Sequence, residues 1–151
     1  MVIATSLMAT LHHIAAFTMT ACLVYEFIAL RKSISSVEVR RIQQVDLWYG
    51  ISAGVLLVVG LLRVFIFEKG ASYYGANLLF WVKMALFALV GILSIYPTIR
   101  YIRWGNVTED KNLELPDDEY KRIRLLLNLE VIGIALILFA APAMARAIGM
   151  N

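Results

Sequence analysis

The chain has 151 residues, of which 61% are apolar and 17% charged, with a formal net charge of +3 and a mean hydropathy of +0.76. A soluble domain is about half apolar and a quarter charged, so an ordinary water-soluble globule is excluded. One cysteine, three prolines and nine glycines exclude a disulfide scaffold and a collagen-like chain, and Cys22, inside an apolar run, reads as a small packed hydrophobe.

The apolar residues fall in four blocks. The first, 1–30, holds no Lys, Arg or Asp and a single Glu. It lacks a basic leading segment and a small-residue cleavage site, so it reads as a retained helix rather than a secretion signal. The second, 47–67, has Arg63 as its sole charge, with Gly50 and Gly54 four residues apart, a spacing that lets two helices approach closely. The third, 77–99, has Lys83 as its sole charge and is closed by Ser94-Ile95-Tyr96-Pro97. The fourth, 125–145, has only Glu130. Ahead of it, Leu115-Pro116-Asp117-Asp118-Glu119 announces a helix start, with Pro at the first helical position and acids in the first turn. Pro142 is expected to bend its far end.

Each block reaches the roughly 20 residues that a helix needs to cross a bilayer, and the period-2 pattern of a barrel is absent. Helices satisfy their own backbone in lipid. The expected fold is an all-α integral membrane protein. Its single domain, 1–151, has four transmembrane helices (about 3–30, 46–67, 77–99 and 118–147) in an antiparallel bundle.

Lysine and arginine set the expected orientation. Arg31, Lys32, Arg40 and Arg41 lie in the first connection, and Arg100, Arg103, Lys111, Lys121, Arg122 and Arg124 in the third; Lys69 and Arg146 lie on the other side. The positive-inside rule places the first and third connections in the cytoplasm and both termini outside. Trp48, Tyr49, Tyr96, Tyr101 and Trp104 mark the inner interface, Tyr73 and Tyr74 the outer one. The pI of 9.1 is then an insertion signal and a lipid-facing fringe, not a nucleic-acid footprint. The Asn106-Val107-Thr108 sequon falls on the cytoplasmic side and is discounted.

Ionisable groups inside a membrane are costly and usually functional. The polar groups in the spans are His12, His13, Glu26, Arg63, Lys83, Asn128 and Glu130. At about 1.5 Å per residue, His12, Lys83 and Arg63 lie roughly 12, 9 and 6 Å in from the outer ends of their helices. An imidazole, an amine and a guanidinium at similar depth fit an anionic cofactor or substrate, and haem b suits them. His12 is a candidate iron ligand, Lys83 a ligand on the opposite face once burial frees its lone pair, and Arg63 a partner for propionates. Ala9, Ala15 and Ala16 leave room beside His12. His12 and His13 point about 100° apart, so only one of the two can face that site. The plainer readings are that Lys83 and Arg63 snorkel outward, with Glu68 accepting Arg63, that one His only packs, and that Glu26 answers Arg31 or Arg40 at the interface. Asp46 sits at the edge of the inner layer. Glu130, with Asn128, is the candidate proton-accepting or substrate-orienting group. No Cys-x-x-Cys-His, phosphate loop, nucleophile elbow or His-Glu-x-x-His occurs.

The runs Leu11-His12-His13-Ile14-Ala15-Ala16-Phe17, Gly60-Leu61-Leu62-Arg63, Glu68-Lys69-Gly70, Phe80-Trp81-Val82-Lys83 and Ser94-Ile95-Tyr96-Pro97 resemble, over nearly the whole chain, a bacterial four-helix membrane family of unknown function. More remotely, the layout is similar to the HemJ-type protoporphyrinogen IX oxidases, small four-helix membrane proteins that bind haem b. Their Leu-His, Trp-x-x-Lys and Asn-Glu pattern is approached by Leu11-His12, Trp81-Val82-Lys83 and Asn128-Leu129-Glu130. The Trp-to-Lys spacing here is two, and Leu129 separates Asn128 from Glu130. The resemblance implies His12 and Lys83 as haem ligands, a homo-oligomer and a place in the bacterial inner membrane. Two functions are expected. One is a haem-b redox protein that oxidises a tetrapyrrole or passes electrons to quinone. The other is a non-redox small transporter or assembly factor whose outer cluster binds an anion or only anchors helices.

Overall fold

The computed structural model describes residues 2–67, 75, 77–105 and 111–145. Four long helices make up the bundle: α1 (Val2–Ala29), α2 (Ser36–Leu62), α3 (Leu78–Arg103) and α4 (Asp117–Ala145). All four are long and apolar enough to cross a bilayer. Two short strands, β1 (Ser33–Ile34) and β2 (Leu113–Glu114), pair antiparallel, with Ser33 opposite Glu114 and Ile34 opposite Leu113. The first and third connections are thereby tied together at one end of the bundle, the loop end. Residues Glu68 to Gly70, Tyr73, Tyr74, the Asn106 sequon and Arg146, singled out above, lie outside the described residues.

Helix boundaries follow caps rather than hydropathy. α2 starts ten residues before its expected start at 46 because Ser35 caps it: the Ser35 hydroxyl accepts from the Glu38 N–H at 3.3 Å. Ser35-x-x-Glu38 is a capping-box pattern. Its first three turns carry Glu38, Arg40, Arg41, Gln43 and Gln44, so Arg40 and Arg41 belong to a helix, not a loop. α3 runs through Pro97 to Arg103 instead of closing there; a proline costs one backbone bond, which neighbouring helices make tolerable in a membrane span. Beyond Pro97, Glu119 of α4 holds the last turns. It accepts from Arg100 Nε at 2.7 Å and from Trp104 Nε1 at 3.0 Å, and pairs with the second nitrogen of the Arg100 fork. α4 begins at Asp117, with the Pro116 carbonyl accepting from Tyr120, so Pro116 caps the helix and is not its first turn. α2 ends in a π-helical turn, Arg63–Phe67.

The chain folds as two tight hairpins, α1 with α2 and α3 with α4, joined by lighter contacts of α1 with α4 and α2 with α3. α1 and α3 therefore stand on one diagonal. Without a water-driven core, helices in lipid associate by close packing and polar contacts. The close approaches occur at Gly133, where an added Cβ would come within 2.6 Å of Val90 Cγ2, and at Gly60, where it would lie 3.3 Å from His12 Cε1. Gly50 and Gly54, expected to play this role, have nothing within 4 Å of such a Cβ; that face of α2 points away from the other helices. At the loop end Arg124 reaches across from α4 to α1, its guanidinium 3.8 Å from the Phe27 ring centroid and donating to the Phe27 carbonyl. There too, Lys32 and Asp117 pair at 2.7 Å, and the Asp117 carboxylate raises the Lys32 pKa above its ordinary value.

Candidate functional site

The buried polar residues converge in the loop-end half. Three carboxyl groups, from three helices, are almost fully enclosed: Glu26 of α1 is 2% exposed, Asp46 of α2 8% and Glu130 of α4 1%. Two tyrosines accompany them, Tyr49 of α2 at 4% and Tyr101 of α3 at 0%. Each acid lies on the buried stripe of its own helix. In α1 that stripe is Ala15, Met19, Leu23 and Glu26, continued by Leu30 just past the helix end; in α2 it is Val39, Ile42, Asp46, Tyr49, Ser52, Leu56 and Val59; in α4 it is Ile123, Leu127, Glu130 and Ile134. Steps of three and four residues keep one face of a helix inward, so the same periodicity that buries leucine buries these acids.

Hydrogen bonds tie the acids across helices. The Tyr49 hydroxyl donates to Glu130 Oε2 at 3.1 Å, and Thr98 Oγ1 of α3 donates to Asp46 Oδ1 at 2.7 Å. Gln43 of α2 donates to the Tyr101 carbonyl at 2.8 Å. Within the cluster, the buried carboxyl oxygens Glu26 Oε1 and Glu130 Oε1 have no hydrogen-bond partner among the described residues. Among the described residues, no Lys, Arg or His is fully buried with them. Half-buried Cys22, one turn from Glu26, borders the cluster.

Apolar layers close the cluster from both ends. Towards the loops lie Leu30, Ile34, Val39, Ile42, Leu115, Ile123 and Leu127. Towards the termini lie Ala15, Met19, Leu56, Val90 and Ile134.

The residues expected at the outer cofactor site fall elsewhere, about 21 Å up α1 from Glu26 to His12 at 1.5 Å per residue. His12 is half-buried, its Cε1–Nδ1 edge against Gly60 of α2. His13 is exposed, its ring edge-on to that of His12 with centroids 6.2 Å apart. Arg63 and Lys83 are half-buried. His12 and Lys83 sit on the diagonal pair of helices. Two recesses, of about 280 and 260 Å3, open elsewhere and neither is lined by either residue. Among the described residues no group of three or more His, Cys, Asp or Glu can hold a metal ion.

Glu130 is therefore the one expected site residue inside the cluster. Asn128 is exposed: two residues along a helix rotate a side chain by about 200°, so Asn128 and Glu130 cannot serve one site from within the bundle. Glu26 does not answer Arg31 or Arg40 but turns inward, because its position falls on the buried stripe. Asp46, Tyr49, Tyr101 and Thr98 were not expected at a site. The signal for Asp46 and Tyr49 was the step of three and four running from Val39, which begins outside the apolar block. Nothing local marked Tyr101 or Thr98.

Comparison with known proteins adds one finding of kinship. The family model described as a predicted membrane protein, DUF2214, matches residues 4–149. No curated protein and no solved structure matches the chain.

Proposed function

The chain belongs to the DUF2214 family of predicted membrane proteins, and on that footing we propose that it is a proton-binding membrane protein, a small proton-coupled transporter whose occluded carboxyl cluster takes up and releases protons. The observation that carries this reading is the enclosure of Glu26 and Glu130, each with an unpartnered carboxyl oxygen, where no Lys, Arg or His is buried among the described residues. Three carboxylates in a low-dielectric interior repel one another and forgo hydration, and such groups neutralise by holding protons. A proton on Glu26 or Glu130 turns an orphan acceptor into an O–H donor that neighbouring oxygens can accept. Tyr49, already donating to Glu130, and Tyr101, fully buried at the same end of the bundle, are placed to pass that proton on without carrying charge themselves. Buried acids of this kind mark proton relays in transporters.

Both apolar layers are closed here, so exchange with water requires one to part. The loop end is fastened by the β1–β2 pair, the Glu119 latch and Arg124. At the other end α3 has no buried residue between Leu78 and Leu89, so that end is the one assigned to open. The basic loop end supports a cytoplasmic position for it in the bacterial inner membrane.

Infrared difference spectroscopy on the reconstituted protein tests the reading. A protonated-carboxyl C=O band at neutral pH is expected, lost or split in Glu26→Gln and in Glu130→Gln, together with loss of proton uptake into vesicles. A spectrum without that band, or one unchanged in both variants, overturns it. A Soret band that vanishes in His12→Ala would put a haem-based redox reading in its place.

A further inference from the structure

The larger recess, about 280 Å3, opens at the loop end between the last turn of α1 and the first turn of α2. It lies far from the outer histidines and is separated from the carboxyl cluster by the Leu30–Ile42 layer. Its walls are of two kinds. Ile28, Ala29 and Ile34 supply an apolar wall, and Arg31 and Glu38 supply one charge of each sign. Glu38 is held in place: it accepts from the Tyr25 hydroxyl at 2.6 Å, and Arg41 stands 3.5 Å away. Arg31 is exposed and makes no ion pair or hydrogen bond among the described residues. Below the recess, towards the membrane centre, Ile28 and Val24 are exposed one turn apart on the outer face of α1.

We infer that this recess is a binding site for a phospholipid with an aminoethyl phosphodiester headgroup, phosphatidylethanolamine. The recess stands where the apolar span of α1 gives way to charge, which is headgroup depth. Arg31 matches the phosphate, since a guanidinium fork binds phosphate oxygens in pairs. Glu38 matches the primary ammonium, which can donate hydrogen bonds to a carboxylate; a quaternary ammonium has no proton to donate. An anionic headgroup without an amine would meet Glu38 unfavourably. An acyl chain leaving the recess would lie along Ile28 and Val24.

The test uses the full chain, reconstituted into vesicles of equal parts phosphatidylethanolamine, phosphatidylcholine and phosphatidylglycerol, re-extracted in detergent and read by native mass spectrometry. Phosphatidylethanolamine is expected to be retained over the other two by about tenfold, equivalent to about 1.4 kcal/mol. Arg31→Gln, a change at a side chain without contacts, is expected to lower its retention by about the same factor. Glu38→Gln is expected to abolish the preference over phosphatidylglycerol. Equal retention of the three lipids overturns the inference, as does unchanged retention in Arg31→Gln. Displacement by millimolar inorganic phosphate also overturns it, because the recess would then be a free-anion site.

Discussion

At the scale of single residues, the geometry separates groups that the amino-acid list makes look alike. Glu26, Asp46 and Glu130 are enclosed; His13 and Asn128 are on outer faces. Tyr49 is the residue on which this distinction is most easily measured. Its hydroxyl supplies the one described hydrogen bond to Glu130. Tyr49→Phe keeps the ring in its packing and removes that donor, leaving a second buried carboxyl oxygen without a partner. Stability should fall by about 1–3 kcal/mol, read by denaturant titration in detergent, and the carboxyl infrared band of Glu130 should move to higher frequency. An unchanged band would mean that the two groups do not meet.

At the scale of elements, the helices associate through small residues, but at positions that spacing alone does not identify. Gly133 is where α4 meets α3: an added methyl would come within 2.6 Å of the β-branched Val90 side chain, which has little freedom to move aside. Gly133→Ala should therefore destabilise the α3–α4 hairpin by about 1–3 kcal/mol, the usual cost of overpacking. Gly50→Ala and Gly54→Ala meet open space and should leave stability within about 0.5 kcal/mol. The three variants compared in one unfolding series decide the point, and equal effects at all three would contradict the packing described.

The element boundaries show how much was legible beforehand and why. Four spans, their antiparallel order and the grouping of basic residues at one end all follow from the apolar blocks and were readable. Ten residues of α2 were not, because hydropathy reports the membrane-embedded part of a helix while Ser35 decides where it starts. The same ten residues hide the beginning of the stripe that carries Asp46 and Tyr49 inward. Glu130 was recognisable because it interrupts an apolar run; Tyr101 and Thr98 were not, because aromatic and hydroxyl side chains near a helix end look like interface residues whichever way they face.

At the scale of the whole molecule, the loop end of the bundle is fastened, while at the other end α3 has no buried residue between Leu78 and Leu89. Ser33 and Glu114 face each other across the β1–β2 ladder, and the Ser33 hydroxyl donates to the Glu114 carboxylate at 2.5 Å. Directly opposed residues of an antiparallel pair are close enough for a disulfide. With Cys22→Ser as background, Ser33→Cys combined with Glu114→Cys should cross-link on oxidation and release on reduction. If the terminal end is the one that opens, the cross-linked protein should still exchange protons. Loss of exchange only when oxidised would instead place the moving gate at the loop end.

The sequence by itself determined that this is a four-helix membrane protein and which few side chains are expensive in it, because transfer of apolar and charged groups between water and lipid depends on residue type and run length alone. Which of those side chains meet was decided only by tertiary structure. A helix presents any residue to one neighbour at an angle fixed by its register, and a single step of about 100° separates a buried carboxyl from one facing lipid. Glu26, Asp46 and Glu130 came together because three registers agree. His12 and Lys83 lie outside that cluster, because their positions on α1 and α3 fall nearer the opposite ends of those helices.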